Sequence, residues 1–308
     1  MKYLVSGGRG FLGSYVVKEI LARGEEVLVL SNLSHPSSNS EGMDFIYGDI
    51  RYEYDVDRAV KEVDCVIHLA AKINVDRSRE SARPFVDTNI IGTFNILESC
   101  RKYGKKLICA STSEAIGNMI SSASETGMNE DHPYRPDNPY GATKAAADML
   151  ITGWMRSYDL DVCILRSFNI TGIGQSYDKE GAFIPKVIER IVNDQNPIIF
   201  GAGDQTRDYV WAGDVAKAYL LLANGNYKGE IYHTGTGTEV SITSVAQKLI
   251  DISGKSLTIE YIESRPKELK RLKCDWSKIA KLGWKPTKVI DEVLKEMYEA
   301  RLAKEFDD

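Results

Sequence analysis

The sequence predicts an α/β fold, a parallel, doubly wound sheet accompanied by a smaller C-terminal α/β lobe. Two observations predict it. Short apolar segments alternate with segments of helical periodicity through the first half of the chain, and the first apolar segment runs straight into a glycine-rich turn at 7–13. Strands that alternate with helices at this spacing form parallel sheets, whose ligands lie at the carboxyl ends of the strands.

The chain opens with a strand over 2–6, the glycine turn, and an amphipathic helix that ends near Arg23. Gly7, Gly10 and Gly13 allow a tight turn, close approach to a pyrophosphate, and packing of the helix against its strand. The N–H groups and the dipole at the start of the helix favour phosphate. The turn is therefore a candidate dinucleotide site, although glycines also mark ordinary turns.

The other elements follow in order along the chain. Further strands of the sheet are expected over 26–30, 44–47, 64–69, 105–110 and 161–165, and long helices over 84–103 and 139–158. After residue 170 we expect a helix from about 185, a strand over 198–200, a helix from about 214, a strand near 231 and a last helix from about 289. We expect residues 1–168 with about 206–233 to form a dinucleotide-binding domain, and about 169–205 with 234–308 to form a second lobe.

Composition narrows the class of protein. The 308 residues carry a net charge of −5 with scattered Lys and Arg, so neither nucleic acid nor an anionic membrane is an expected partner. The five cysteines form no C-x-x-C pair, which favours reduced thiols and a cytoplasmic location. No apolar run approaches the roughly 20 residues of a membrane span. The four histidines, His35 among them, lack metal-ligand spacing, so no metal site is expected.

The segment YGATK at 140–144 carries the strongest catalytic signal. Pro139 is typical of a first helical turn, so Tyr140 and Lys144 lie at i and i+4 on one helical face, with their side chains adjacent. A phenol is a poor base at its ordinary pKa, but a neighbouring ammonium favours the phenolate. Tyr140 is a candidate proton acceptor for a hydroxyl, although a chance surface pair has the same spacing.

A second polar segment, STSE at 111–114, follows a predicted strand at the carboxyl edge of the sheet. Its hydroxyls and carboxylate could bind a substrate oxygen or move a proton. The spacing from Ser111 to Glu114 is also that of a helix capping box, so a structural role stays open.

Short motifs that carry a family resemblance occur along nearly the whole chain. They are GGRGFLG (7–13), GDI (48–50), HLAA (68–71), TNIIGT (88–93), STSE (111–114), YGATK (140–144), LRSFN (165–169), QTRDY (205–209) and RP (265–266). With these motifs in this order, the chain resembles the extended short-chain dehydrogenase/reductase family, in particular its nucleotide-sugar epimerases and dehydratases. The resemblance implies a Rossmann sheet, a tightly bound NAD or NADP, and a nucleotide-diphosphate sugar as substrate, with uridine the base expected by default.

The resemblance also implies catalytic roles. Tyr140 would take the proton from the 4-hydroxyl of the sugar, while C4 gives hydride to the nicotinamide. Lys144 would bind the nicotinamide ribose and lower the pKa of Tyr140. Thr112 would hydrogen-bond the same substrate oxygen. The two long helices would form a two-fold homodimer through a four-helix bundle.

Further residues are implied as binding contacts. Those for the cofactor are Gly7, Arg9, Gly10, Phe11, Leu12, Gly13, Ser31, Asn32, Asp49, Ile50, Leu69, Ala70, Ala71 and Lys144. Those for the substrate are Ser113, Asn169, Arg207 and Arg265, the arginines holding the diphosphate. From the residues alone, Arg207 could instead pair with Asp208, and Arg265 could be a solvated charge.

Departures from the family pattern bear on the cofactor. Ser31 and Asn32 stand where NAD-dependent relatives carry an acid for the ribose hydroxyls, and Arg9 could pair with a 2′-phosphate. We therefore expect NADP to be accommodated at least as well as NAD, the alternative being that Arg9 is merely exposed.

The reaction type depends on Glu114. A 4-epimerase needs only Tyr140, Lys144 and Thr112 and is the first expectation. Glu114 favours instead a 4,6-dehydratase, in which it would remove the C5 proton, or a UDP-glucuronate decarboxylase. Ser113, at the position of the dehydratase acid, weakens the thymidine-sugar version. A dinucleotide-binding regulator without turnover is the alternative from another class.

Overall fold

The structure is a computed structural model that describes residues 1–33, 43–123, 125–177, 181–265 and 269–303. His35 and Pro266 lie outside the described residues. The chain divides into two compact units. The first unit comprises Met1–Gly117, Pro133–Ser167 and Val215–Tyr232; the second comprises Asn118–His132, Phe168–Asp214 and His233–Asp308.

The described strands are β1 (Lys2–Ser6), β2 (Glu26–Ser31), β3 (Asp44–Tyr47), β4 (Cys65–His68), β5 (Lys106–Thr112), β6 (Val162–Ser167), β7 (Asn169–Thr171), β8 (Ile198–Phe200), β9 (Thr206–Arg207), β10 (Tyr209–Trp211), β11 (Ile231–Thr234), β12 (Val240–Ser241) and β13 (Glu260–Ile262). The described α-helices are α1 (Phe11–Ala22), α2 (Glu53–Val60), α3 (Val75–Glu80), α4 (Arg83–Phe85), α5 (Gly92–Tyr103), α6 (Pro139–Tyr158), α7 (Phe183–Val192), α8 (Ala212–Asn224), α9 (Ile242–Ser253), α10 (Ser277–Ala280) and α11 (Ile290–Leu302). No helix within these described ranges is long and apolar enough to cross a membrane.

A seven-stranded parallel sheet of order β11-β6-β5-β4-β1-β2-β3 confirms the predicted doubly wound fold. Its strands are short runs of β-branched and other apolar residues, and β4 and β6 are buried throughout. The strand order reverses between β1 and β4. Ligands of such sheets bind at that reversal, outside the carboxyl ends of the strands. The ends of β1 and β4, at Ser6 and His68, therefore mark the expected site.

One predicted helix is interrupted. The expected helix over 84–103 consists of α4, a π-helix over Val86–Ile91 and α5. Within the π-helix, the side-chain amide of Asn89 donates to the Lys72 carbonyl and to the Thr143 hydroxyl, both at 3.0 Å. These bonds fix Asn89 as part of a tertiary contact, which sequence periodicity does not report. π-helical turns of this kind are frequent at functional sites.

The second unit contains three two-stranded ladders: β7 with β10, β9 with β12, and β8 with β13. Its core is formed by α7, α9 and α11, through apolar residues that include Ile188, Leu249 and Leu294. Residues 118–132 and 206–214 fall in this unit, whereas the sequence placed them in the first domain. The reason is hydrogen bonding, since the Met128 N–H donates to the Lys273 carbonyl at 2.8 Å. Strand pairing of β9 and β10 fixes the other segment.

Candidate active site

The glycine turn requires glycine at two positions. Gly7 has φ of +72°, and a Cβ there would lie 2.9 Å from the backbone N and Cα of Ala70. A Cβ on Gly13 would lie 2.2 Å from the Gly7 carbonyl oxygen. The first turn of α1 holds Phe11 and Leu12 and carries no negative charge, so its N–H groups are suited to phosphate.

A directed chain of hydrogen bonds joins the ends of β1 and β4. The Thr93 hydroxyl donates to the Asn89 carbonyl at 2.7 Å and so accepts from Nε2 of His68, 3.1 Å away. His68 is then neutral with its proton on Nε2, and its Nδ1 accepts from the Ser6 hydroxyl at 2.7 Å. Burial lowers the pKa of His68 to about 3, which keeps this tautomer neutral.

The same chain fixes the loop beside the glycine turn. The Ser6 hydroxyl oxygen accepts the backbone N–H groups of Leu69 at 3.2 Å and Ala70 at 3.3 Å. Ala70 is the residue that a Cβ on Gly7 would meet. Sequence reasoning named Leu69, Ala70 and Ala71 but missed Ser6 and its hydroxyl; the only signal for it was its place at the end of the first strand.

The end of β2 carries no acidic side chain, and the nearby carboxylate of Asp49 is paired with a cation. Asp49 accepts hydrogen bonds from Arg51 at 2.7 Å and from the Asn32 amide at 2.9 Å. Burial would raise the pKa of Asp49, yet these hydrogen bonds lower it to about 2. The Ser31 hydroxyl accepts the Leu33 N–H at 3.2 Å. Asn32 thus holds Asp49 in place, a contact not evident from the sequence.

Arg9 is not a merely exposed side chain. Its guanidinium lies 5.5 Å from the ring centroid of Phe45 on β3. Its Nε is buried, and no hydrogen-bond partner reaches that atom from the described part of the chain. A buried donor without an acceptor is costly, so this site suits an anionic ligand. Together with the glycine turn, this orphaned donor fits a dinucleotide. Five further residues are predicted to contact the cofactor. They lie on the glycine turn, on the loop after β3 and after β4, and are Gly10, Phe11, Leu12, Ile50 and Ala71.

Helix α6 presents Tyr140 and Lys144 as the sequence predicts. The Asn138 side chain accepts the Gly141 N–H at 2.8 Å, and Pro139 occupies the first turn, so the start of the helix is fixed. Tyr140 is 8% exposed and Lys144 6%. Both are therefore buried groups rather than a chance surface pair.

The phenol of Tyr140 faces Thr112. Burial raises the pKa of Tyr140, a hydrogen bond with the Thr112 side chain lowers it, and the charge of Glu114 raises it. The Thr112 oxygen also accepts the Glu114 N–H at 3.3 Å, so it caps the short 3-10 helix Ser113–Ala115. The alternative capping box from Ser111 does not form, because Ser111 donates to Asp148 on α6.

The ammonium group of Lys144 is held by strand β5. Its Nζ donates to the Ala110 carbonyl at 2.6 Å, and burial lowers its pKa. The side chain that lowers the pKa of Tyr140 here is Thr112, and the effect of Lys144 on Tyr140 stays a prediction. Since the backbone carbonyl of β5 holds the ammonium, i and i+4 spacing alone could not have given this contact.

Glu114 is bound at the start of α6. Its carboxylate accepts the Asn138 amide at 2.7 Å, and the same Asn138 caps the helix. The neighbouring Ser113 is buried. A carboxylate and the helix that carries Tyr140 are thus joined by one asparagine, which the sequence analysis did not identify.

The other predicted substrate contacts lie in the second unit. The side-chain oxygen of Asn169 on β7 is buried and has no hydrogen-bond partner among the residues that the structure describes. Arg207 donates to the Thr206 carbonyl at 2.9 Å. The Arg265 guanidinium lies 4.0 Å from the ring centroid of Phe200, so it stacks on an aromatic face instead of standing free in solvent.

Comparison with known proteins agrees with this geometry. The family model for GDP-mannose 4,6 dehydratase matches residues 4–297. The dTDP-D-glucose 4,6-dehydratase of Mus musculus is 32% identical and aligns over 97% of this chain and 88% of its own.

Two solved structures are also similar to this chain. The Thermotoga maritima UDP-glucose 4-epimerase with UDP-glucose has a TM-score of 0.93 at 30% identity, covering 99% of this chain and 100% of that chain. The Thermus thermophilus UDP-glucose 4-epimerase in complex with NAD has a TM-score of 0.91 at 32% identity, covering 99% and 100%. The chain therefore belongs to the GDP-mannose 4,6-dehydratase family of nucleotide-sugar epimerases and dehydratases, and the family resemblance is confirmed.

Proposed function

We propose that this enzyme is a nucleotide-sugar 4-epimerase that oxidises C4 of a UDP-sugar transiently. A bound nicotinamide dinucleotide supplies a hydride acceptor and donor. Tyr140 takes the proton of the 4-hydroxyl, and Thr112 hydrogen-bonds both the phenol and the substrate oxygen. Lys144, placed by the Ala110 carbonyl, binds the nicotinamide ribose.

The observation that carries the choice of reaction is the bond between Glu114 and Asn138. A base that removes the C5 proton needs a carboxylate aimed at the sugar, and here Asn138 holds that carboxylate at the start of α6. The adjacent acid of a dehydratase is replaced by Ser113. Epimerisation requires neither group, because only the proton of the 4-hydroxyl and the hydride of C4 move.

A 4,6-dehydratase is the second candidate. It is favoured by the charge of Glu114, which acts on Tyr140 and so lies near the phenol. In that reaction Glu114 would leave Asn138 and accept the C5 proton.

For the substrate, we propose that Arg207 and Arg265 hold the diphosphate and that Asn169 donates to it. The planar guanidinium fork is suited to phosphate oxygens. Only the side-chain NH2 group of Asn169 can donate to a phosphate oxygen, so that group would make the contact. The buried Oδ1 of Asn169 is an acceptor and suits a donor group of the ligand.

For the cofactor, NAD is expected from the relatives, and we propose that NADP binds at least as well. Arg9 has a buried Nε without an acceptor, and Ser31 and Asn32 carry no charge that would repel a 2′-phosphate. Fluorescence titration of the apoprotein should give an NADP affinity equal to or above that for NAD, and Arg9→Gln should weaken NADP about tenfold more than NAD. Weaker binding of NADP than of NAD would contradict this proposal.

We propose a homodimer formed through α5 and α6. Phe94, Met149 and Tyr158 are exposed apolar side chains on these two helices. Light scattering should show a dimer for the native chain and a monomer for Met149→Glu.

Five buried free thiols support the proposed cytoplasmic location.

Product analysis by proton NMR in heavy water tests the proposed reaction. UDP-glucose, UDP-N-acetylglucosamine and UDP-glucuronate are supplied in turn. A C4 epimer without deuterium at C5 is the expected result. A 4-keto-6-deoxy product with deuterium at C5 establishes the dehydratase, and loss of the carboxylate from the glucuronate establishes a decarboxylase. Dinucleotide binding without any product would favour a non-catalytic regulator.

A further inference from the structure

Helix α6 lies across the carboxyl end of β5, and three successive residues of that strand contact it. The Ala110 carbonyl accepts from Lys144, the Ser111 hydroxyl donates to Asp148 at 2.8 Å, and Thr112 hydrogen-bonds Tyr140. Tyr140, Lys144 and Asp148 are spaced by four residues and lie on one buried face of the helix. All three contacts therefore join the same face of α6 to the end of β5.

Asp148 is a fully buried carboxylate whose two oxygens differ. Its Oδ2 accepts from Ser111, from Arg166 at 2.9 Å and from Tyr134 at 3.3 Å. Its Oδ1 is buried and finds no donor within the described ranges of the chain. A merely structural aspartate is expected to fill both oxygens.

The partners of Asp148 come from two neighbouring strands. Ser111 and Arg166 are register partners in the parallel pair β5 and β6, so their side chains lie on the same face of the sheet. Arg166 is 0% exposed and also donates to the Tyr134 hydroxyl at 2.7 Å. Asp148 thus fastens the second turn of α6 after Tyr140 onto two strands at once.

We propose that Asp148 is a positioning residue that sets the place of α6 on β5 and acts on the reaction through the charge it presents to Tyr140 and Lys144. This inference rests on the proposed function, since it assigns Tyr140 and Lys144 to the chemistry. It adds a residue that the motif YGATK does not contain.

The charge of Asp148 acts on both groups in one direction. Burial raises the pKa of Tyr140, and Asp148 raises it further. Burial lowers the pKa of Lys144, and Asp148 opposes that shift. The charge of Asp148 therefore favours the ammonium form of Lys144 and the phenol form of Tyr140. The other titratable or charged groups that face these three residues, among those described, are Cys109 on β5, Arg166 on β6, His68 on β4, Tyr219 on α8, Tyr134 and Glu114.

The isosteric variant Asp148→Asn removes the charge and keeps an oxygen acceptor. The pKa of Tyr140 and the pKa of Lys144 should both fall, so both limbs of the pH profile of kcat should move to lower pH, by about one pH unit. Ser111→Ala is the matched control, because it removes one hydrogen bond and keeps the charge. Its limbs should stay in place although the free energy of unfolding falls.

Unmoved limbs in Asp148→Asn, with activity reduced at every pH, would reduce Asp148 to a structural residue and overturn the inference. If this variant fails to fold, Asp148→Asn with Arg166→Met removes both buried charges and should show the same direction of shift. A native enzyme without turnover contradicts the proposed function, not this inference. The pKa of Lys144, followed by nitrogen-15 NMR of labelled lysine, then decides it: lower in Asp148→Asn supports it, and unchanged overturns it.

Discussion

Each unit of the molecule has fully buried aspartates, Asp148 in the first and Asp208 and Asp214 in the second. The carboxylates of Asp148 and Asp208 are held in opposite ways. In the second unit, Asp208 accepts the N–H groups of Thr236, Gly237 and Cys274, at 2.7, 2.8 and 2.9 Å, and the Thr236 hydroxyl. In the first unit, the donors to Asp148 from the described residues are all side chains, one of them a guanidinium.

The difference separates a carboxylate that organises backbone from one that faces reacting groups. Both oxygens of Asp208 are filled by neutral donors, and a Cβ on Gly235 would lie 3.1 Å from one of them, so the loop is closed tightly around it. One oxygen of Asp148 has no donor among the residues that the structure describes, and the charge of Asp148 raises the pKa of Tyr140 and of Lys144. The backbone donors around Asp208 are consistent with a folding role, and the place of Asp148 beside Tyr140 is consistent with the chemical role proposed for it.

The largest effect is expected on the chemical side of this comparison. Tyr140→Phe removes the proton acceptor but keeps the ring that packs edge-on against Phe85 at 6.5 Å between centroids. Turnover should fall about 10³-fold, because a positioned base contributes roughly that much. Dinucleotide affinity and the thermal midpoint should change little. Initial rates with the accepted sugar nucleotide check this, and turnover within tenfold of the native enzyme would remove Tyr140 from the mechanism.

The next effect is expected on the folding side. Asp208→Ala leaves the N–H groups of Thr236, Gly237 and Cys274 without their acceptor, and should lower the free energy of unfolding by about 3 kcal/mol. Asp208→Asn keeps one acceptor oxygen and should lose less. Urea denaturation measures both. Two results would contradict the comparison with Asp148. One is a urea midpoint of unfolding for Asp208→Ala equal to that of the native protein, and the other is a shift of the pH profile of kcat in Asp208→Asn.

The smallest effect sharpens the comparison with a buried group that stays neutral. The pKa of His68 is lowered by burial to about 3, below its unfolded value, so the unfolded state binds more protons. Stability should therefore fall as the pH drops below about 6.5, by up to roughly 1.4 kcal/mol per pH unit. His68→Asn, which retains an acceptor for Ser6 and cannot be protonated there, should show a shallower loss. Equal pH slopes for the two proteins would exclude His68 as the source.

Local chemistry determined what could be predicted from the sequence. The bounds of α6 were predictable because Asn138 and Pro139 define its start, and the glycine turn because Gly7 and Gly13 admit no side chain. The parallel sheet followed from short apolar strands alternating with helices.

The remaining features depend on contacts between residues distant in sequence. The π-helix at 86–91 depends on the bonds of Asn89 to Lys72 and Thr143. The position of Lys144 depends on a carbonyl of β5, and the role of Asp148 on the register of Ser111 with Arg166. The spacing of four residues between Lys144 and Asp148 was the only signal of the role of Asp148 in the sequence. Residues 118–132 joined the second unit through backbone bonds that no composition reports.

The most direct test of the proposed reaction follows a deuterium atom that starts on C4 of UDP-glucose. The purified enzyme is incubated with this substrate in ordinary water, and the product is examined by deuterium NMR. We predict a product with inverted configuration at C4 that retains the deuterium there, because hydride leaves C4 and returns to it. Deuterium at C6, or deuterium released to the solvent, would contradict 4-epimerisation.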